Sequence, residues 1–432
     1  MRAALAVLVA ALAVTPGASA YRNPTSGAAL VLQIPGMHRA EVRRVAGLDV
    51  YRPRNAHGRL PAVLVGPPRG SGRAVGWSQA IAASGMSAVP FGGSGPAALA
   101  RVRANAARLG IDSGRLCALG FAGGAAWQLS AHGLRCNVVY YAPLDTRRLR
   151  GDIPPFLVVK AGRDAREGVN ASIDRFAAAA RDVHADVRVA TNAGGARGFD
   201  VGRPTPRAKM VVKETLRFLR ARLAPPLRVQ ASCVTSAERQ RALRFFAEDD
   251  TALAGVVLGS GPRAVVLVHA IDGNLCDWVP YARQLAARGL RVLAYNSRRP
   301  GVRVDLDLAA AVEAMRRNGS EHVVVAGASV GAAGALIGSA SLAEQPAAVV
   351  SLSAIASFGP LRALPAAARL QAPVLFAASA DDQPFADDAR ALYAASGSVG
   401  RQLEILPAAR HGEEMLEDPA FRARVTDFIT AH

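Results

Sequence analysis

His322-Val-Val-Val-Ala-Gly-Ala-Ser329-Val-Gly-Ala-Ala-Gly-Ala-Leu-Ile337 decides the fold. His322 to Ala326 is a β-branched apolar run and reads as a buried strand, while Ala333 to Ile337 begin a helix. Between them Gly327-Ala328-Ser329-Val330-Gly331 is a Gly-x-Ser-x-Gly turn. The two glycines permit a tight strand-to-helix reversal that exposes the serine. The first backbone N–H groups of the helix then face whatever the serine attacks. Alone, the pattern is weak, because glycine, alanine and serine are common in this chain. Its strand–turn–helix setting gives it meaning.

Downstream, the chain order strengthens the reading. Pro373 opens a strand that ends at Ser379-Ala380-Asp381-Asp382, and Leu406-Pro407 closes the next strand before Ala408-Ala409-Arg410-His411-Gly412. Serine, then a carboxylate after one strand, then histidine after the following strand is the order of a nucleophile, an orienting acid and a base on a parallel sheet. Either Asp381 or Asp382 fits the acid position.

The surrounding pattern alternates strands and helices. Strands are expected over 241–248, 252–258, 264–269, 291–295, 348–352, 374–377 and 402–406. Helices are expected over 278–288, 306–317, 385–395 and 422–430. Such alternation implies a mainly parallel sheet covered by helices on both faces. The first half repeats the order. Its strands are expected over 61–65, 115–119, 138–141, 156–159 and 187–190, with helices over 97–109, 173–180 and 210–223. Ala224-Pro225-Pro226-Leu227 reads as a linker. Two tandem α/β domains follow, over 21–224 and 225–432.

The chain has 432 residues, 51% hydrophobic and 20% charged. That composition is globular and excludes collagen-like, coiled-coil and low-complexity classes. The formal net charge is +19, and almost every cation is arginine, since lysine occurs only at 160, 209 and 213. Residues 225–432 are nearly neutral, with 20 Lys+Arg against 21 Asp+Glu. Residues 1–224 carry 32 against 12. The asymmetry fits an anionic partner such as a cell-envelope polymer or lipid head group. The simpler reading, which the composition favours, is a solvated arginine-rich surface from biased codon usage. No basic run is interleaved with aromatics, which argues against nucleic acid.

Residues 1–20 read as an export signal: Arg2, an apolar run from Ala3 to Val14, and the small residues Ala18-Ser19-Ala20. About 20 apolar residues are needed to span a bilayer, so the run is short for an anchor. No other segment is long and apolar enough. Four cysteines suit an oxidising compartment. Three pairings are compatible with the sequence, and only Cys117–Cys136 with Cys233–Cys276 crosses no domain boundary. Cys117 and Cys136 fall on neighbouring strands, where the geometry is demanding, so whether they bond stays open. His38, His57, His132, His184 and His322 have no ligand spacing, so no metal site is expected, and no cofactor is implied. Trp77, Trp127 and Trp278 are expected to anchor cores.

On these residues the second half resembles the α/β-hydrolases. Its strongest likeness is to small serine hydrolases with the segment Val268-His269-Ala270-Ile271-Asp272-Gly273-Asn274-Leu275-Cys276-Asp277-Trp278. The first half resembles dienelactone-hydrolase-like members through Leu109-Gly110-Ile111-Asp112 and Lys160-Ala161-Gly162-Arg163-Asp164. The resemblance implies Ser329 as nucleophile, His411 as general base and a carboxylate orienting it. In many members that acid lies nine residues after the strand-opening proline, which favours Asp382 over Asp381. The implied oxyanion donors are the backbone N–H groups of Val330 and Ala270. In the first half the implied places hold Ala122, Asp164 and Arg197. Alanine cannot attack, and arginine stays protonated, so it cannot act as a base. That half is expected to be catalytically silent, with Asp164 a relic that has no histidine to orient. The implied activity is secreted hydrolysis of a small ester or related acyl substrate. The competing expectation is a non-catalytic protein that binds a polyanion or envelope partner through its basic half.

Overall fold

Residues 29–66, 71–225, 229, 231–298 and 302–432 are described by the computed structural model. The expected signal segment lies outside them, as do Pro226 and Leu227 of the linker.

Eight strands build the second sheet: β9 (Ala242–Phe246), β10 (Ala252–Leu258), β11 (Arg263–Val268), β12 (Arg291–Tyr295), β13 (His322–Ala328), β14 (Ala348–Leu352), β17 (Val374–Ser379) and β18 (Arg401–Leu406). β15 (Ser357–Phe358) and β16 (Leu361–Arg362) form a separate small hairpin. The order is β9-β10-β12-β11-β13-β14-β17-β18. β10 is antiparallel to both neighbours, and the ladder from β12 to β18 is parallel.

Strand alternation sends successive side chains to opposite faces. Ala264, Val266 and Val268 of β11 join one apolar core, which also holds residues of α8 (Val304–Arg317) and α9 (Val330–Ser341). Val265 and Leu267 join the other, with residues of α7 (Leu275–Ala287) and α12 (Pro419–Ala431). Helices therefore cover both faces, and the apolar run in each central strand is explained. Also present are α10 (Ala363–Arg369) and α11 (Phe385–Ala395), and α6 (Ser236–Gln240) precedes β9.

The first sheet repeats this plan. Its strands are β1 (Glu41–Val45), β2 (Leu48–Arg52), β3 (Leu60–Val65), β4 (Ser87–Pro90), β5 (Ile111–Phe121), β6 (Cys136–Tyr140), β7 (Phe156–Arg163) and β8 (Val187–Ala196), ordered β1-β2-β4-β3-β5-β6-β7-β8. Both sheets thus share one order with an antiparallel second strand, that of the α/β-hydrolase fold. The first half also forms α1 (Gly72–Ala83), α2 (Gly95–Ala104), α3 (Ala106–Leu109), α4 (Val169–Asp182) and α5 (Pro206–Leu223). The single helix expected over 97–109 is two, broken at Asn105.

Two compact units result. One takes the chain to Leu144 with Leu157–Ile173 and Val189–Leu216. The other takes Asp145–Phe156, Asp174–Arg188 and Arg217–His432. Trp77 and Trp278 are fully buried, and Trp127 packs edge-on to Phe91. Among the described residues no helix is long and apolar enough to cross a membrane.

Both within-half disulfides are formed. Cys117 and Cys136 are register partners on β5 and β6, which brings them close enough to bond. A cross-link acts mainly by restricting the unfolded chain, more for a longer loop. Replacing Cys117 and Cys136 by alanine releases a 19-residue separation and should cost about 3 kcal/mol. Replacing Cys233 and Cys276 releases 43 residues and should cost about 4 kcal/mol. Urea unfolding of both double variants measures this, and midpoints equal to the parent's would contradict it.

Candidate active site

Ser329 sits where β13 turns into α9, with φ 56° and ψ −122°. A side chain rarely adopts this region, and such strain persists only where the surroundings enforce it. Here the flanking glycines explain the enforcement. A Cβ on Gly327 would lie 2.6 Å from the Gly331 carbonyl oxygen, and one on Gly331 would collide with the His269 carbonyl. Ser329 N–H donates to the Leu352 carbonyl at 2.9 Å, tying the turn to the end of β14. Val330 is the first residue of α9, and N–H groups of a first helical turn have no intrahelical acceptor.

The loop after β11 passes the same turn, since a Cβ on Gly331 would meet the Val268 and His269 carbonyls. His269 fixes that loop at both ring nitrogens. Nδ1 lies 2.6 Å from the Ala270 carbonyl, and the Ser297 N–H donates to Nε2 at 3.0 Å. A nitrogen that accepts cannot carry a proton, so Nδ1 is the protonated one and the ring is neutral. Burial pushes its pKa below the ordinary histidine value, which favours the same state. Beyond it, Asn274 and Asp277 form a reciprocal cap on α7.

The turn after β17 carries the aspartates. Asp382 Oδ2 lies 2.8 Å from His411 Nδ1, whereas Asp381 is exposed and uses its backbone N–H on the Ala408 carbonyl. Of the two candidates the structure brings only Asp382 to His411. Ser353, which the sequence reading did not single out, completes the cluster. Its hydroxyl donates to Asp382 Oδ2 at 2.8 Å and accepts from the Gly412 N–H at 3.0 Å. Ser353 stands just past β14 at φ 46°. Only the sheet order reveals its role, since one more serine among many carries no sequence signal.

With Nδ1 turned to Asp382, the imidazole Nε2 makes no hydrogen bond among the described residues. Phe385 packs on the ring at 4.3 Å between centroids. A Cβ on Gly412 would lie 3.0 Å from Ala328 Cβ and 3.9 Å from Ser329 N, so the histidine loop abuts the serine turn. Ser329 Oγ itself makes no hydrogen bond among the described residues. Such contacts are often long in unliganded sites and tighten around substrate. Glu413 stands next to this loop. Burial, and to a lesser degree the charge of Asp277, pushes its carboxyl above the usual carboxylate range.

The matching place in the first unit differs. Ala122 keeps the strained turn, at φ 53°. A 3₁₀-helix, Ala122–Ser130, follows in place of the α-helix that follows Ser329. Among the described residues Asp164 has no histidine beside it but is paired with an arginine. Arg197 Nε donates to Asp164 Oδ1 at 3.0 Å, and Arg197 Nη2 donates to the Tyr141 carbonyl at 2.9 Å. A buried carboxylate needs a counter-charge, and the arginine in the histidine's place supplies it. The nearby Asp200 is fully buried and accepts from Trp77 Nε1 and the Tyr141 hydroxyl, each at 3.0 Å. Among the described residues, no group of three or more His, Cys, Asp or Glu could hold a metal ion.

No protein-family model matches the sequence, and no curated protein matches it. Solved structures do. The Pyrococcus furiosus esterase Pf2001 is 17% identical, covers 48% of this chain and 97% of its own, and has a TM-score of 0.41. An enol-lactonase from Burkholderia xenovorans LB400 is 16% identical over 43% of this chain and 99% of its own, with a TM-score of 0.37. Thermogutta terrifontis esterase 2 is 19% identical over 45% and 98%, with a TM-score of 0.36. At such identities and scores these likenesses carry no statement about activity.

Proposed function

We propose that the second unit is a serine hydrolase that cleaves an ester or related acyl bond. The observation that supports this most is the strained Ser329 turn beside a His411 whose Nδ1 is held by Asp382. In this reading Ser329 Oγ attacks the acyl carbon while His411 Nε2 takes its proton. Asp382 keeps the imidazole in the required tautomer and stabilises its charged form. The Val330 and Ala270 N–H groups hold the oxyanion. His411 then returns the proton to the departing alcohol, leaving an acyl-enzyme. Water activated by the same nitrogen releases the acid and regenerates Ser329.

The first unit is silent in this reading, because Ala122 lacks a nucleophile and Arg197 a base. Its basic excess serves an anionic envelope partner. Residues 1–20 direct export, and the two disulfides suit an oxidising compartment.

Substrate size follows from the segment between β14 and β17. It holds only the β15–β16 hairpin and the seven-residue α10, too little for a large cap. Short, water-soluble acyl esters should be hydrolysed faster than long-chain triglycerides. A panel of esters of rising acyl length tests this, and strong activation at an oil–water interface would contradict it.

A further inference from the structure

We propose that the first unit binds a small phosphate-bearing ligand in the cavity between β8 and the start of α5. The cavity has a volume of about 720 Å³. That lies within the range of small-molecule sites, roughly 300–1,000 Å³. Arg163, Arg197, Arg203 and Arg207 line it, and no aspartate or glutamate does. β7 ends at Arg163, β8 forms one wall as far as Ala196, and α5 begins at Pro206.

Of the four arginines only Arg197 is matched to a carboxylate, that of Asp164. Arg163 Nε donates to the Gly194 carbonyl at 2.8 Å. Arg207 donates to the Thr191 carbonyl through Nε at 2.9 Å and Nη2 at 2.7 Å. Both carbonyls belong to β8, so these guanidinium groups are fixed against the sheet edge with N–H groups to spare. Neither has a carboxylate partner among the described residues. Arg203 makes no hydrogen bond or ion pair among them.

Arg163 and Arg207, held by β8 carbonyls, and the exposed Arg203 therefore face one cavity with no carboxylate partner among the described residues. The guanidinium fork matches phosphate oxygens in pairs and stays charged at any working pH. The first turn of α5, an eighteen-residue helix, adds partial positive charge at the same wall. Thr205 caps that turn, accepting from Ala208 N–H through Oγ1 at 3.2 Å and from Lys209 N–H through its carbonyl at 3.0 Å. A single carboxylate would neutralise one of the three cations. A group bearing two or more negative charges matches them better, which selects a phosphate ester over a simple carboxylic acid.

The test is calorimetric titration of the full chain with inorganic pyrophosphate, ionic strength being held constant with sodium chloride. Saturable binding with a Kd of about 10⁻⁴ M or tighter is expected. Arg203→Glu should weaken it at least about tenfold, because a cation is replaced by an anion at the site. Its unfolding midpoint without ligand should be unchanged, since Arg203 holds nothing else. Arg163→Gln should show a loss of the same sign. Three results would each overturn the proposal. One is no saturable heat from pyrophosphate, and another is unchanged affinity in both variants. The third is binding to vesicles containing phosphatidic acid but not to pyrophosphate, which would mark a charged surface and not a ligand site. The proposal does not rest on the hydrolase reading: Ser329→Ala should bind pyrophosphate as the parent does.

Discussion

Ser329→Ala should remove ester hydrolysis, lowering kcat by roughly 10⁴- to 10⁶-fold, as expected for loss of a triad nucleophile. The residual rate would come from binding and the oxyanion donors alone. The variant should fold. Ser329 Oγ holds nothing among the described residues, and the chain already tolerates alanine in this strained turn. Ala122 stands at φ 53° in the first unit, against 56° for Ser329. That internal precedent separates loss of chemistry from loss of structure. The same comparison predicts that Ala122→Ser would not create a second active site, because Arg197 remains in the base's place.

Asp382→Asn should lower kcat by about 10⁴-fold, and Asp381→Asn by less than about tenfold. An amide at 382 presents an N–H where His411 Nδ1–H needs an acceptor, so the ring takes the wrong tautomer. Asp381 is exposed, and the bond it makes to Ala408 uses its backbone, which asparagine retains. Steady-state kinetics on both variants read the difference. A damaging Asp381→Asn beside a near-normal Asp382→Asn would move the acid by one residue.

Much of this architecture was legible in the sequence, for reasons visible in particular elements. Arg291–Tyr295, Ala348–Leu352 and Phe385–Ala395 occupy the expected residues because each is apolar on its buried side and bounded by breakers. β1 escaped notice because Glu41-Val-Arg-Arg-Val45 is an edge strand whose charges face solvent. α1 escaped because Gly72 and Gly76 sit within it, and glycine disfavours helix. β4 is only four residues long. At the site, Ser329 and His411 carry recognisable local patterns and chain order. The choice between Asp381 and Asp382 depends on how one turn rotates two side chains, which spacing alone leaves open. Ser353 and the two hydrogen bonds of His269 depend on which strands end side by side. The Asp164–Arg197 pair was missed for a different reason. Neither residue has a local pattern that names the other; only burial of the Asp164 carboxylate calls for the second charge.

The measurement closest to the central claim is labelling with a fluorophosphonate, which reacts only with an activated serine. Applied to the full chain and followed by peptide mapping, it should modify one site, in the peptide that carries Ser329. Labelling should disappear in Ser329→Ala. An unlabelled parent protein, or a label on another serine with hydrolysis intact in Ser329→Ala, would contradict the account.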